Sequence, residues 1–202
     1  MAQPVIVLAG YPRAGKGEIA KSLTQRYGAW VYTVSSTFFM ILKILGVDPK
    51  RENLTRIAMA VVDMFGQDAV MAQTCRLVRA NLQTPEDAVR GHDPFPKMLI
   101  VDGIRFPEHV KIVRREFPGC KIIGVWAPPV TRHRRHNALR DAKSGGTELS
   151  LEMFMAQDEL PTERQIGEVL KLADTTIDND GTLEDLHAAI DNLMTSWGIL
   201  PT

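Results

Sequence analysis

Long apolar runs are missing from this 202-residue sequence. No stretch approaches the roughly 20 residues that a membrane span needs, so no membrane segment is expected. The start, Met1 to Val5, lacks the basic n-region of a secretory signal, which points to the cytoplasm. An excess of charge of one sign is missing too. Lys+Arg and Asp+Glu both number 24, whereas a protein working mainly as a nucleic-acid coat would carry a basic surplus; a local basic site remains open. Cysteine is scarce. Cys75 and Cys120 form no metal-type spacing, suit a reducing compartment, and read as two buried core thiols. There is no internal repeat and no domain boundary, and the length fits one core, so a single domain over 1–202 is expected.

The apolar residues that are there, 45% of the chain, fall into short runs separated by helical patterns. Val5 to Ala9 is β-branched, continuous and followed by Gly10, the pattern of a strand buried on both faces. A helix is predicted from about Gly17 to Tyr27 and a strand over Trp30 to Thr33. Residues 36–82 are helical in character, and Pro49 and Gly66 divide them into three helices. Thr84 to Lys97 reads as a loop. Met98 to Val101 forms a third strand ending in Asp102-Gly103, followed by a helix over Glu108 to Glu116 and a fourth strand over Lys121 to Trp126. A basic helical stretch runs from Pro129 to Lys143 and breaks at Ser144 to Gly146. Two more helices, near Leu151 to Gln157 and Glu163 to Leu172, precede a fifth strand at Thr175 to Asp178. Thr182 and Asp185 then form a capping box for the last helix. Strands alternating with helices predict right-handed crossovers and a mostly parallel sheet covered on both faces. Ligands of such sheets bind beyond the carboxyl ends of the strands, which aligns Gly10, Asp102, Ala127 and Asn179 along one edge. The helical stretch 36–82 and the basic stretch after Pro129 read as caps on this core.

Gly10-Tyr-Pro-Arg-Ala-Gly15-Lys16-Gly17 follows the G-x-x-x-x-G-K spacing. Glycines let consecutive backbone N–H groups point at phosphate oxygens, the lysine neutralises β/γ charge, and a following helix adds its dipole. The three fixed positions arise by chance in roughly one 200-residue chain in fifteen; the flanking strand and helix are what make the assignment. Gly10, Arg13, Ala14, Gly15, Lys16, Gly17 and Glu18 are therefore the candidate ATP-binding loop, with Lys16 catalytic. A Ser or Thr normally follows the lysine to meet Mg²⁺, and here it is Gly17 and then Glu18. The metal is expected through water and through a carboxylate elsewhere.

Asp102 at the end of the third strand is that carboxylate, holding metal-bound water or accepting a proton from the acceptor. Arg105 can grip an anionic acceptor with its planar fork. Arg132, Arg134, Arg135 and Arg140 cluster after the fourth strand. Arg132 and Arg140 are candidates for stabilising the transferring phosphoryl group, and a solvated helix face explains the same residues. Lys143 and a Gly145-Gly146 hinge fit a closing lid. His133 and His136 read as surface residues. Asn179 to Thr182 can offer backbone groups to a purine edge, or make an ordinary strand-to-helix turn.

These pieces resemble the adenylate-kinase-like P-loop kinases, and most closely an archaeal-type group of nucleotide kinases related to dephospho-CoA kinase. The resemblance spans nearly the whole chain. It rests on Gly10 to Gly17, Gly66 to Ala69, Val101 to Arg105, Ala127 to Arg132, Ile166 to Val169, and Ala173-Asp174 through Asn179 to Glu184. It implies an α/β fold with a five-stranded parallel sheet, a helical acceptor-binding insert (about 36–82) and an arginine-bearing lid (about 129–150). It also assigns Asn179 and Gly181 to the adenine pocket. After the second strand such kinases carry Gly-Asp followed by Arg; here the stretch is Ser35-Ser36-Thr37-Phe38-Phe39, and a further insert arginine is replaced by Val62. The donor half is kept and the acceptor half is more apolar, with Ser36, Phe39 and Arg105 as candidate acceptor contacts. The function implied is an ATP- and Mg²⁺-dependent phosphotransferase acting on a nucleotide-type acceptor. Alternatives are a hydroxyl on a modified base or on DNA, which Phe38 and Phe39 would stack against, dephospho-CoA, and an ATP-binding regulatory switch. Oligomeric state stays open.

Overall fold

In the first strand, β1 (Val5–Ala9), every residue is buried. Val5, Val7 and Ala9 enter one hydrophobic core while Ile6 and Leu8 enter another. Side chains alternate across a strand, so a continuous apolar run is what a sheet packed on both faces requires. The computed structural model describes residues 3–80, 82, 96–139 and 148–201. The other strands are β2 (Ala29–Thr33), β3 (Met98–Ile104), β4 (Lys121–Trp126) and β5 (Thr175–Asp178). Their order is β2-β3-β1-β4-β5, and each neighbouring pair is parallel. β3 runs three residues further than its apolar core predicts. Its pairing with β1 shifts register after Leu8, which faces Asp102, so that Ala9 faces Ile104. Gly103, at φ +96°, is the residue passed over. This irregularity turns Asp102 and Gly103 toward the same sheet edge as Gly10.

Helix α1 (Lys16–Tyr27) ends at Gly28, whose left-handed φ of +62° lets its N–H bond the Leu23 carbonyl. α1 and the last helix, α9 (Leu183–Ser196), bury Ile19, Leu23, Leu186, Ile190 and Met194 against one face of the sheet. Each such side chain stabilises the fold by about 1.5–3 kcal/mol. α9 starts with the expected capping box: the Thr182 hydroxyl accepts from the Asp185 N–H, and the Asp185 carboxylate accepts from the Thr182 N–H.

The stretch 36–82 forms three helices, α2 (Ser36–Ile44), α3 (Arg51–Phe65) and α4 (Asp68–Arg79). They do not act as one cap. α4 buries Met71, Cys75 and Val78 in the core on the second face, beside α5 (Pro107–Glu116), which contributes Val110 and Val113. α3 has no fully buried residue, whereas α2 buries Phe38 and Leu42. Both cysteines are buried and free. α6 (Pro129–Leu139), α7 (Leu151–Ala156) with a 3₁₀ turn at Gln157–Glu159, and α8 (Ile166–Lys171) complete the described elements. The predicted loop over 84–97 lies almost entirely outside the described residues, as do the Gly145-Gly146 hinge, Lys143 and Arg140. Among the described residues no helix is long and apolar enough to cross a membrane.

Candidate active site

The loop between β1 and α1 is built by backbone constraints that only its own residues meet. A Cβ on Gly10 would lie 2.3 Å from the Val125 carbonyl oxygen, and one on Gly15 would lie 2.1 Å from Asn179 Nδ2. Both glycines have positive φ, and Arg13 adopts a left-handed φ of +64° although it is not glycine. A non-glycine residue there costs on the order of 1–2 kcal/mol, and successive N–H groups in such turns form an anion-binding nest. Lys16 folds over this nest. Its Nζ donates to the Gly10 carbonyl at 2.7 Å and the Tyr11 carbonyl at 3.1 Å. Burial lowers the Lys16 pKa, and the Asp102 carboxylate partly restores it. An arriving phosphate would replace those carbonyl contacts and favour the charged form.

Asn179 holds the loop from the far side. Its Nδ2 donates to the Ala14 carbonyl at 2.8 Å, and Arg135 Nη2 donates to the Asn179 carbonyl at 2.9 Å. The same guanidinium reaches the Arg13 and Ala14 carbonyls at 3.5 Å. Arg135 thus ties α6 to both the phosphate loop and the β5–α9 turn, a role that counting arginines along the helix could not separate from its neighbours. Gly181 is exposed beside Asp185 in the same turn.

Arg132 is held in a buried ion pair. Its side chain is 3% exposed and its guanidinium pairs with both Asp158 oxygens, at 3.1 and 2.6 Å. Nε donates to the Ala127 carbonyl, and the group stacks over the Tyr11 ring at 4.9 Å. With those partners taken it does not line the phosphate cavity; it braces α6 against the loop. His136 and His133 are likewise not surface residues. His136 is buried and packs 5.3 Å from the Phe154 ring, while half-buried His133 bonds the Leu149 carbonyl. Glu18 pairs along α1 with Lys21 and lies 3.9 Å from His187, and Gly17 is exposed, with open space where a Cβ would stand.

A cavity of about 230 Å³ opens over the loop, lined by Gly10, Arg13, Lys16 and His136. A second, of about 160 Å³, lies under the insert and is lined by Val34, Ser35, Phe38, Leu54, Val62 and Phe106 among others. Both are bounded by Arg51, Gly103, Arg105 and Glu163. Of the predicted acceptor contacts, Arg105 is at this junction. Ser36 is exposed and Phe39 half-buried, and neither lines the cavity; their neighbours Ser35 and Phe38 do, because helix phase turns those positions inward. Val62, where an arginine was expected, forms part of the apolar wall.

Sequence reading missed the centre of the junction. Glu163 is 1% exposed. Its Oε1 accepts from Arg105 Nη1 and from the Thr162 hydroxyl, and lies 3.2 Å from Arg51 Nη2. Burial lowers the Arg51 pKa, opposed by Glu163. Deeper in the second cavity, His109 Nε2 lies 3.2 Å from the Gln67 carbonyl. A carbonyl only accepts, so Nε2 carries the proton. Burial lowers the His109 pKa and keeps the ring neutral. Asp102 Oδ1 is buried without a hydrogen-bond partner among the described residues.

No family model matches the chain. A UPF0200 protein of the archaeon Methanoregula boonei is 29% identical over 192 residues, covering 95% of this chain and 96% of that protein. A shikimate kinase from Bacteroides thetaiotaomicron matches in fold with a TM-score of 0.59 at 12% identity, covering 96% of this chain and 98% of that one. A gluconokinase from Sinorhizobium meliloti matches with a TM-score of 0.53 at 12% identity, covering 96% and 95%. At such identities the structural likeness concerns the fold alone. The chain shares the fold of these kinases, built on a five-stranded parallel sheet, and is similar over nearly its whole length to the archaeal UPF0200 proteins.

Proposed function

We propose that this protein is an ATP-dependent phosphotransferase that moves the γ-phosphoryl group onto a nucleotide-type small molecule. The observation that carries the reading is the pair of cavities sharing one wall: a cationic one over Lys16 and an apolar one under α2 and α3, both bounded by Arg51, Arg105 and Glu163. ATP would lay its phosphates over Gly10 to Lys16, with the purine toward the Asn179 turn. Lys16, Arg13, Arg51 and Arg105 then surround the γ-phosphoryl oxygens, where charge must be stabilised during transfer. The aromatic and aliphatic wall from Val34 to Phe106 suits the ring of a base.

Mg²⁺ fits the residues present in a limited way. Among the described residues no group of three or more His, Cys, Asp or Glu converges as a cage. Mg²⁺ sites usually need only one or two carboxylates plus substrate phosphates and water, and Asp102, with its unpartnered Oδ1 beside Lys16, would hold such water. When bound, the ion supplies charge neutralisation between the β- and γ-phosphates.

An ATP-binding switch would need no second cavity at the phosphate end. ADP release measured with and without candidate nucleosides and nucleotides separates the readings, with mass spectrometry scoring the gain of one phosphoryl group. Acceptor-dependent ADP release is expected. Release that no acceptor changes would favour the switch.

A further inference from the structure

Two buried arginine–carboxylate clusters flank the phosphate loop, and one is incomplete. Asp158 gives each of its two oxygens to a separate nitrogen of Arg132. Glu163 instead gathers Arg105, Arg51 and Thr162 on Oε1, leaving Oε2 buried with no hydrogen-bond partner among the described residues. The carboxylate is held there by main chain: the Glu163 and Arg164 N–H groups both bond the Leu160 carbonyl, and the Ile166 N–H bonds the Glu163 carbonyl. A buried carboxylate oxygen with no donor is costly, so an ion-pair strut would be expected to engage both oxygens, as Asp158 does. Among the described residues Oε2 therefore has no donor, while the neighbouring Arg51 keeps Nε and Nη2 without hydrogen-bond partners, at a junction that lines both cavities.

Resting on the phosphotransferase reading above, we infer that Glu163 Oε2 receives the O–H of the acceptor, so that the accepting atom is an alcohol oxygen and the product a phosphate ester. A phosphate acceptor would bring its own negative oxygens against this carboxylate, and like charges at such range repel. Away from the junction the second cavity is lined by uncharged groups such as Val34, Phe38, Val62 and His109, which suits an uncharged ring attached to that alcohol. In the reaction the hydroxyl oxygen forms its bond to the γ-phosphorus and the bond from that phosphorus to the ADP oxygen breaks. The hydroxyl proton passes to Glu163 Oε2 and on to solvent. Arg51 and Arg105, already drawn to Oε1, stay beside the phosphoryl oxygens.

The test uses ATP with the four deoxynucleosides and, separately, their 5′-monophosphates. ³¹P NMR distinguishes a phosphate ester from a diphosphate anhydride in the products. Wild type is expected to give the ester. Glu163→Gln is expected to lower kcat about a hundredfold or more, the range of a lost general base, with the ATP Kd within about threefold. Glu163→Asp, which retracts the charge by one methylene, should fall between the two, and melting curves establish that each variant is folded. Anhydride as the sole product would overturn the inference while leaving the phosphotransferase reading intact. Ester formed at an unchanged rate by folded Glu163→Gln would overturn the role of Glu163 alone. ADP release that none of the probes alters would defeat the phosphotransferase reading and this inference with it.

Discussion

The donor and acceptor sides of the junction treat their polar groups in opposite ways. Over the phosphate loop the donors are held by protein acceptors: Lys16 on Gly10 and Tyr11, Asn179 on Ala14, Arg135 on Asn179, Arg132 on Asp158. On the acceptor side Glu163 Oε2 and His109 Nδ1 are buried without hydrogen-bond partners. Near the loop Asp102 Oδ1 is a comparable atom, where metal-bound water is proposed, and at the shared wall so are Arg51 Nε and Nη2. A preformed donor site needs little rearrangement to receive ATP, which keeps the electrostatic stabilisation in place when charge shifts. The acceptor side spends stability on orphan atoms, and such atoms mark where a ligand group completes the structure.

The contrast is most exposed at Lys16. Lys16→Ala should reduce turnover by orders of magnitude, since it removes the cation proposed to face the transferring phosphoryl group. Melting temperature should change little, because the ammonium bonds only two loop carbonyls. A kcat within about threefold of wild type would remove the loop from the chemistry and with it the distinction between the two sides.

Arg132 tests whether the donor side is braced rather than reactive. Its removal would leave Asp158, 16% exposed, facing a protein interior without its partner; breaking a buried pair in this way costs about 3–5 kcal/mol. Arg132→Ala should therefore lower the melting temperature strongly. A variant that melts like wild type yet loses turnover would return Arg132 to the catalytic lid role that its place in the sequence suggests.

Much of the donor side was legible in sequence because its determinants are local. The loop spacing, the β-branched run before it and the Thr182–Asp185 capping box each lie within a few residues, and β4 and β5 run from the residues expected. The rest, on both sides, depends on distant partners. Arg132 and Asp158 are separated by 26 positions, so the basic stretch reads equally as lid, solvated face or brace until the fold closes. Glu163 is the first residue of the helix expected over Glu163 to Leu172, but it lies in the turn before α8, and its partners come from α3 and from the end of β3. The choice between Phe38 and Phe39 turns on one step of helix phase, finer than the boundary of α2 could be fixed.

That phase is the next test. Phe38 is 8% exposed and lines the acceptor cavity, whereas Phe39 is half-buried and does not. Phe38→Ala should weaken acceptor binding by roughly 1–3 kcal/mol if the ring stacks a base, and should also lower the melting temperature through lost packing. Phe39→Ala should do less on both counts. If Phe39→Ala produced the larger loss of acceptor affinity, the cavity under α2 would not be the acceptor site.

The smallest effect is expected at the start of α9, behind the Asn179 turn, and calibrates the others. Thr182→Ala removes the hydroxyl that accepts from the Asp185 N–H, a cap loss of about 1 kcal/mol. In a protein of this size that is a drop of roughly 2–4 °C in melting temperature, with a smaller effect on turnover than in the variants above. The effect should also depend on pH in a defined direction. Bonds from the Thr182 backbone N–H and hydroxyl hold the Asp185 pKa below its ordinary value. A carboxylate with a depressed folded pKa contributes stability above its unfolded pKa, near about 4, and loses it as pH falls through the folded value. The difference between wild type and Thr182→Ala should therefore be constant near neutral pH and shrink below about pH 4. A difference that grew on acidification would mean that the protonated, not the ionised, carboxyl closes the capping box.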